Sequence, residues 1–158
     1  MWSLESVDNS GTSTVMDTET GGSESTADLI LLVDGGSQGN PGQGYGSFRL
    51  RDLEGYERTV QLEFGQKVTS NQAEYQTLIA ALEAALAHTF ERGWSPERLS
   101  LSVVTDSKLM AEQLTGRYRV RNPELRRLYD RARKLIRRFA QVEIVWRPRA
   151  EIVRVLGH

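Results

Sequence analysis

Runs of apolar residues, separated by turns rich in glycine and polar residues, divide the first half of the chain into strands. Residues 29–33 are apolar throughout and end at Asp34, which predicts a buried strand followed by tight turns over residues 35–42. Residues 45–51 alternate between apolar and polar positions, and after a short turn residues 56–64 do the same. We therefore expect these three strands to form an antiparallel meander.

Helical periodicity alternates with two further strands in the second half. Ser70 and Asn71 are suited to cap a long helix, in which Glu74 falls in the first turn. A strand is predicted over residues 99–105, followed by helices over residues 107–114 and 123–139. A further strand over residues 141–146 and a last helix after Pro148 complete the chain. Because helical crossovers join parallel strands, we expect an α/β domain with a mixed five-stranded sheet, three strands antiparallel and the later ones parallel, flanked by helices.

The N-terminal segment differs in composition from the rest of the chain. Residues 1–27 are rich in Ser, Thr, Gly and acidic side chains, which predicts a disordered tail before a single domain over residues 28–158. Residues 1–28 hold six acidic side chains and no Lys or Arg, so the remainder has 15 acidic against 20 basic side chains. A basic body with an acidic tail favours a polyanionic partner, although ordinary surface variation explains it equally well.

Several classes of protein are excluded by composition. No apolar stretch approaches the roughly 18 residues of a membrane span, and the N-terminal residues lack the pattern of a signal peptide. The chain contains no cysteine, which excludes disulfides and thiolate metal sites and fits a reducing compartment. We expect a cytoplasmic protein that acts as a monomer and does not bind membranes.

Three carboxylates occupy comparable positions in the predicted elements. Asp34 and Asp106 each end a strand, and Glu74 lies near the start of a helix. If the two strands are neighbours, the three carboxylates converge and repel one another unless a cation lies between them. Oxygen ligands suit Mg²⁺ or Mn²⁺. The alternative is that these residues have structural roles. Asp106 followed by Ser107 is typical of the cap of a helix, and Glu74 early in its helix complements the helix dipole.

Four segments containing these residues resemble, in order and spacing, the motifs of type 1 ribonuclease H. Residues 33–48 resemble its first strand, glycine turn and second strand, and residues 69–86 resemble the motif of its catalytic glutamate. Residues 101–116 resemble its strand-end Asp-Ser and following helix, and residues 118–125 resemble the form without a large basic protrusion. The resemblance covers about residues 28–149 and implies the ribonuclease H-like fold.

The resemblance also implies an activity. Ribonucleases H are endonucleases that hydrolyse the RNA strand of RNA–DNA hybrids and leave 5′-phosphate and 3′-hydroxyl ends. On that model Asp34, Glu74 and Asp106 hold two Mg²⁺ ions, for which Mn²⁺ is a possible substitute. Two alternatives remain open: a non-catalytic or weakly active module that binds RNA–DNA hybrids or double-stranded RNA, and a nuclease or integrase of the same fold that acts on DNA.

Two groups of residues are expected to contact the substrate. Backbone and side-chain groups beside the carboxylates are suited to recognise the ribose 2′-hydroxyl, and they belong to Gly35, Gly36, Ser37, Asn71 and Gln72. Asn71 matches an Asn that contacts the hybrid in the family. Arg117, Arg119 and Arg121 are suited to meet phosphates of the DNA strand. The helix after Asn122 is strongly basic, and a subset of its basic side chains is expected to contact phosphates as well.

The chain departs from the family at its C-terminal end. The family usually supplies a fourth Asp about seven residues after an Arg like Arg149, and that position here is Leu156. His158 is one replacement, as a neutral ligand or proton shuttle, Glu151 is a second, and the absence of any fourth group is the third. The other histidine, His88, lies late in the long helix and is expected to be a surface residue.

Overall fold

The structure is a computed structural model that describes residues 14–18 and residues 26–156. For residues 14–18 only the backbone is considered. The strands are β1 (Thr14–Thr18), β2 (Leu29–Gly39), β3 (Gly42–Asp52), β4 (Glu57–Val68), β5 (Ser100–Thr105) and β6 (Gln141–Trp146). The helices are α1 (Ser70–Glu91), α2 (Lys108–Leu114), α3 (Pro123–Ile136) and α4 (Arg149–Leu156), with a short 3-10 turn at Pro96–Arg98. Among the described helices, none combines the length and apolar character needed to span a membrane.

The sheet has the strand order β1-β6-β5-β2-β3-β4. β2, β3 and β4 pair antiparallel, whereas β5 pairs parallel with both β2 and β6. The expected mixed arrangement is therefore confirmed for the five predicted strands, which are β2 to β6. The parallel pairing of β2 with β5 ends at Val33 opposite Thr105, so Asp34 and Asp106 each follow the last paired residue at one edge of the sheet.

A sixth strand lies within the segment for which composition predicted disorder. β1 pairs parallel with β6, from Thr14 opposite Gln141 to Thr18 opposite Val145. An unpaired edge strand exposes a row of backbone donors and acceptors, and β1 supplies partners for those of β6. The expectation of disorder is therefore wrong for residues 14–18, and the rest of residues 1–25 lies outside the described residues.

Helices cover both faces of the sheet. The larger core cluster joins inward-facing residues of β2 with residues of α1 and α3, among them Leu31, Leu82 and Ile136. On the opposite face Leu32 packs against Ile152 and Leu156 of α4. Successive strand residues point to opposite faces, so Leu31 and Leu32 belong to different layers.

The start of α1 differs from the sequence-based expectation. Its N-cap is Thr69, whose hydroxyl accepts a hydrogen bond from the backbone of Gln72, while the Gln72 side chain accepts one from the Thr69 N–H. This capping box fixes the start of the helix one residue earlier than a cap at Ser70 would. Glu74 therefore lies beyond the first turn, which holds no acidic residue.

His88 is not the surface residue that its position late in α1 suggested. Only 7% of the residue is exposed, and its Nε2 lies 2.8 Å from Oδ2 of Asp52. The rings of Tyr56 and His88 stack with centroids 4.2 Å apart. The hairpin between β3 and β4 folds over the end of α1 and covers the imidazole.

Candidate active site

Three acidic side chains meet where the parallel strands end. Asp34 comes from β2, Asp106 follows β5 and Glu74 comes from the second turn of α1. α1 reaches them because it packs closely against β2 at Gly35, where an added Cβ would lie 2.7 Å from the carbonyl oxygen of Ala73. The missing side chain at Gly35 thus lets the helix bring Glu74 beside Asp34.

The cluster is tight and largely removed from water. One carboxylate oxygen from each of Asp34, Glu74 and Asp106 lies within 4.8 Å of the others. Asp34 is fully buried, Glu74 is 9% exposed and the side chain of Asp106 is 8% exposed. The convergence expected from strand ends and helix start is therefore present in the structure.

Burial and mutual repulsion change the protonation of the cluster. The pKa of Glu74 is raised to about 9, first by burial and then by the charges of Asp106 and Asp34, although Arg149 and the backbone N–H of Gly35 oppose the rise. The pKa of Asp106 is raised by burial and by the charge of Asp34, against hydrogen bonding and attraction from Arg149. Without a bound cation, Glu74 accordingly keeps its proton at neutral pH.

Arg149 is a fourth member of the cluster that sequence analysis did not assign to the site. Its Nη1 donates to Oδ1 of Asp34 at 2.9 Å and to Oδ2 of Asp106 at 3.1 Å. The sequence marks Arg149 as the residue after Pro148 and as the Arg from which the usual fourth Asp is counted, and no local pattern indicates a contact across 115 positions. Its role depends on tertiary structure alone.

The donor set fits a hard divalent cation. Oε1 of Glu74 and Oδ1 of Asp106 are buried and have no hydrogen-bond partner among the described residues. A buried carboxylate oxygen that lacks a donor is unfavourable unless another positive group contacts it. The ligand atoms are all carboxylate oxygens, as Mg²⁺ and Mn²⁺ prefer.

None of the positions considered for a fourth ligand belongs to this cluster among the described residues. Leu156 is 4% exposed and packs against Leu32 and Ile152, in the apolar cluster between α4 and the sheet. The carboxylate of Glu151, in the first turn of α4, lies 4.0 Å from the guanidinium of Arg147. His158 lies outside the described residues.

The residues expected to recognise ribose have different surroundings. Gly35 and Gly36 continue β2 directly after Asp34, whereas the Ser37 hydroxyl donates to the carbonyl oxygen of Val68 at 2.7 Å. Gln72 is held in the capping box, and its amide also donates to Glu124 at 3.1 Å. The side chain of Asn71 is exposed at the start of α1.

A cleft of about 350 Å³ separates the start of α1 from the start of α3. Its walls include Asn40, Asn71 and Asn122. The loop that leads into α3 buries Val120 and exposes Arg119 and Arg121, so these two side chains lie on the surface near the cleft. Arg117 is farther back along the loop, and its guanidinium forms an ion pair with Glu112 at 3.2 Å.

Comparison with known proteins identifies the family. The family model described as reverse transcriptase-like matches residues 32–155. The crystal structure of ribonuclease H1 from Halobacterium salinarum is 35% identical, covers 80% of this chain and 89% of that chain, and superposes with a TM-score of 0.68. The chain belongs to the ribonuclease H-like family. LC11 ribonuclease H1, solved in complex with an RNA/DNA hybrid, is 27% identical with a TM-score of 0.70 and covers 80% of this chain and 89% of that one.

Curated members of the ribonuclease H-like family are longer than the matched region. A bifunctional protein of Mycobacterium tuberculosis is 36% identical over 126 residues, which cover 77% of this chain and 32% of that protein. Ribonuclease HI of Halobacterium salinarum is 38% identical over 120 residues, which cover 74% of this chain and 55% of that protein. The chain thus spans about a third to a half of the length of these relatives.

Proposed function

We propose that this chain is a ribonuclease H, an endonuclease that hydrolyses the RNA strand of RNA–DNA hybrids and leaves 5′-phosphate and 3′-hydroxyl ends. The observation that carries the proposal is the cluster of Asp34, Glu74 and Asp106, with ligand atoms within 4.8 Å of one another. Its relatives include a ribonuclease H1 solved with an RNA/DNA hybrid. The proposed enzyme acts as a cytoplasmic monomer.

The three carboxylates are the proposed ligands of two Mg²⁺ ions, and Mn²⁺ is the proposed substitute for Mg²⁺. When bound, such ions polarise the phosphate, activate water and stabilise the leaving 3′ oxygen. The chain contributes rigid placement: Asp34 lies on a central strand, and Glu74 is fixed by the close contact of Ala73 with Gly35. In the overall reaction a water oxygen bonds to phosphorus, the bond to the 3′ oxygen breaks, and that oxygen leaves as a hydroxyl after gaining a proton.

Recognition of the hybrid is assigned to groups around the carboxylates. The backbone of Gly35 and Gly36 and the exposed side chain of Asn71 are proposed to contact the ribose 2′-hydroxyl, which distinguishes RNA from DNA. Ser37 and Gln72 act in this proposal by supporting the turn and the helix start, since their side chains already bond within the protein. Arg117, Arg119 and Arg121 are proposed to contact phosphates of the DNA strand.

His158 is proposed to supply the fourth group of the site, two residues beyond the end of α4. A neutral imidazole at that point would serve as a ligand or move a proton. Deletion of His158 tests this role by cleavage assays at several Mg²⁺ concentrations, and we expect a rate at least tenfold lower. Full activity of the truncated chain would exclude His158 from the site.

A second function, binding of hybrids without cleavage, is favoured by one observation. Leu156 is buried at the position where the family places an acidic residue, so the described residues supply three carboxylates and no fourth. Both functions predict hybrid binding, but only the enzyme predicts that cleavage requires all three carboxylates.

Cleavage of a labelled RNA–DNA hybrid in Mg²⁺ or Mn²⁺ distinguishes the two functions. We expect the wild-type chain to cut the RNA strand, and Asp34→Asn to abolish cleavage while circular dichroism and Tm show an intact fold. Asp130→Asn, an exposed carboxylate on α3, is the matched control and should cut normally. A wild-type chain that binds the hybrid but remains inactive in both metals would leave only the binding function.

A further inference from the structure

One guanidinium nitrogen joins the two strand-end carboxylates. Nη1 of Arg149 lies 2.9 Å from Oδ1 of Asp34 and 3.1 Å from Oδ2 of Asp106, so a single donor bridges both side chains. Glu74 completes the cluster within 4.8 Å. Arg149 therefore occupies the position of a counter-ion among groups that otherwise repel one another.

The bridge has an electrostatic reason. Asp34 is fully buried and the side chain of Asp106 is 8% exposed, so two like charges approach each other with little water between them. Such carboxylates require either protonation or an opposite charge nearby. Arginine is the suitable internal partner, because its guanidinium remains charged at every pH at which the protein is folded.

The position of Arg149 allows its side chain to leave the cluster. It is the first residue of α4, and 54% of its side chain is exposed, whereas the carboxylates are enclosed by strands and α1. A half-exposed guanidinium regains its full hydration when it swings outward, and this rehydration offsets part of the cost of breaking the ion pairs. The backbone of α4 stays fixed meanwhile, because Ile152 and Leu156 are buried against Leu32.

We infer that Arg149 is an internal counter-ion that holds Asp34 and Asp106 together before metal binds, and that its guanidinium competes with the incoming divalent cation for their oxygens. The inference rests on the proposed function only in treating Asp34, Glu74 and Asp106 as the metal ligands. Arg149 is thus a positioning residue that sets the metal concentration at which the site fills.

Metal binding to the full chain, without nucleic acid, tests this competition. Isothermal titration with Mg²⁺ and with Mn²⁺ compares the wild type with Arg149→Gln, Arg149→Lys and the control Arg154→Gln, which removes an exposed charge from the same helix. We expect Arg149→Gln to lower the metal Kd about five- to tenfold, as typical coupling between competing sites gives. Arg149→Lys should retain most of the wild-type Kd, and Arg154→Gln should leave it unchanged.

Thermal unfolding supplies a readout that a purely structural role of Arg149 would not move. In EDTA, Arg149→Gln should lower the Tm by about 2–8 °C, because the carboxylates lose their counter-ion. In saturating Mg²⁺ this difference should shrink or disappear, because the cation replaces the guanidinium. Equal loss of Tm in EDTA and in Mg²⁺, or an unchanged or weaker metal affinity in Arg149→Gln, would overturn the inference. If the metal Kd and the Tm change as expected in Arg149→Gln but the wild-type chain does not cleave the hybrid, the proposed nuclease function is wrong and the inference about Arg149 stands.

Discussion

The side chains of Asp52 and His88 form a buried pair at the end of the sheet opposite the carboxylate cluster. Nε2 of His88 lies 2.8 Å from Oδ2 of Asp52, whose side chain is fully buried. The same carboxylate accepts hydrogen bonds from the backbone N–H groups of Glu54 and Tyr56 at 2.8 and 3.0 Å. Arg92 approaches it at 3.4 Å. The pair therefore ties the turn after β3 to the C-terminal end of α1.

This pair predicts an acid-sensitive contribution to stability. Burial by itself raises the pKa of Asp52, but hydrogen bonds from His88, Tyr56, Glu54 and Arg92 together lower it below its usual value of 3.8. On acidification the unfolded chain therefore takes up this proton first. The stabilisation is fully present above the ordinary Asp pKa and is lost as the pH falls through the lower value of the folded state. In urea unfolding, Asp52→Asn should cost about 3 kcal/mol at neutral pH and progressively less as the pH falls below about 4 toward the lowered pKa of the folded state.

Glu54→Gln is the matched control for Asp52. Glu54 pairs with the same Arg92 at 3.1 Å, but its side chain is 60% exposed. Exposed ion pairs contribute little, so this variant should change the free energy of unfolding by less than about 0.5 kcal/mol at every pH. A pH-independent loss in Asp52→Asn, or equal losses in both variants, would contradict the assignment of the effect to the buried pair.

Gly35→Ala should separate α1 from β2 and move Glu74 away from Asp34. The new Cβ would lie 2.7 Å from the carbonyl oxygen of Ala73, which belongs to helix backbone and cannot move alone. Overpacking of this kind costs about 1–3 kcal/mol, and we expect the Kd for Mg²⁺ to rise together with the loss of Tm. Calorimetric titration and thermal unfolding of the purified variant measure both effects.

Gly36→Ala serves as the control for the Gly35 variant. Its Cβ would meet the hydroxyl of Tyr45 at 2.6 Å, the far end of a side chain that can rotate away. The loss of stability should therefore be smaller than in Gly35→Ala, and metal affinity should be preserved. If the two variants lose the same stability and metal affinity, the close contact at Gly35 does not determine the position of Glu74.

Hydrophobic periodicity was sufficient to predict the central architecture because it depends on local patterns. The apolar run that ends at Asp34 and the strand that ends before Asp106 are each evident without the fold, whereas the structure shows that these two strands are parallel neighbours. The convergence of both aspartates with Glu74 then follows from topology. The three carboxylates were therefore accessible from the sequence alone.

The remaining features depend on contacts between distant positions. Arg149 contacts Asp34 across 115 positions and His88 contacts Asp52 across 36, and neither spacing leaves a periodic pattern. β1 lies in a segment of polar composition, and its pairing with β6 joins distant parts of the chain. The start of α1 was missed because Thr69, and not the equally suitable Ser70, forms the reciprocal bonds with Gln72.

The exposed arginines of the loop before α3 predict a salt-dependent contribution to hybrid binding. Arg119 and Arg121 lie on either side of the buried Val120, near the cleft at the start of α1. If each contacts one phosphate, Arg119→Gln and Arg121→Gln should each weaken binding and reduce the slope of log affinity against log salt by about one. Fluorescence anisotropy in EDTA measures binding without consuming the hybrid. Arg98→Gln, an exposed arginine before β5 at the far end of the sheet, should change neither quantity, and an unchanged slope in the loop variants would exclude phosphate contact.

Leu156→Asp restores the residue type that the family carries at this position, yet we expect it to damage the protein. Leu156 is 4% exposed and packs against Leu32 and Ile152, so the new carboxylate would enter an apolar cluster. A buried charge without a partner should lower the free energy of unfolding by about 3 kcal/mol or more, with no tighter binding of Mg²⁺. Val155→Asp, at a neighbouring position that is 44% exposed, places the same group in water and should leave stability nearly unchanged. A stable Leu156→Asp protein with higher metal affinity would mean that α4 turns this position toward the carboxylates, contrary to the packing observed.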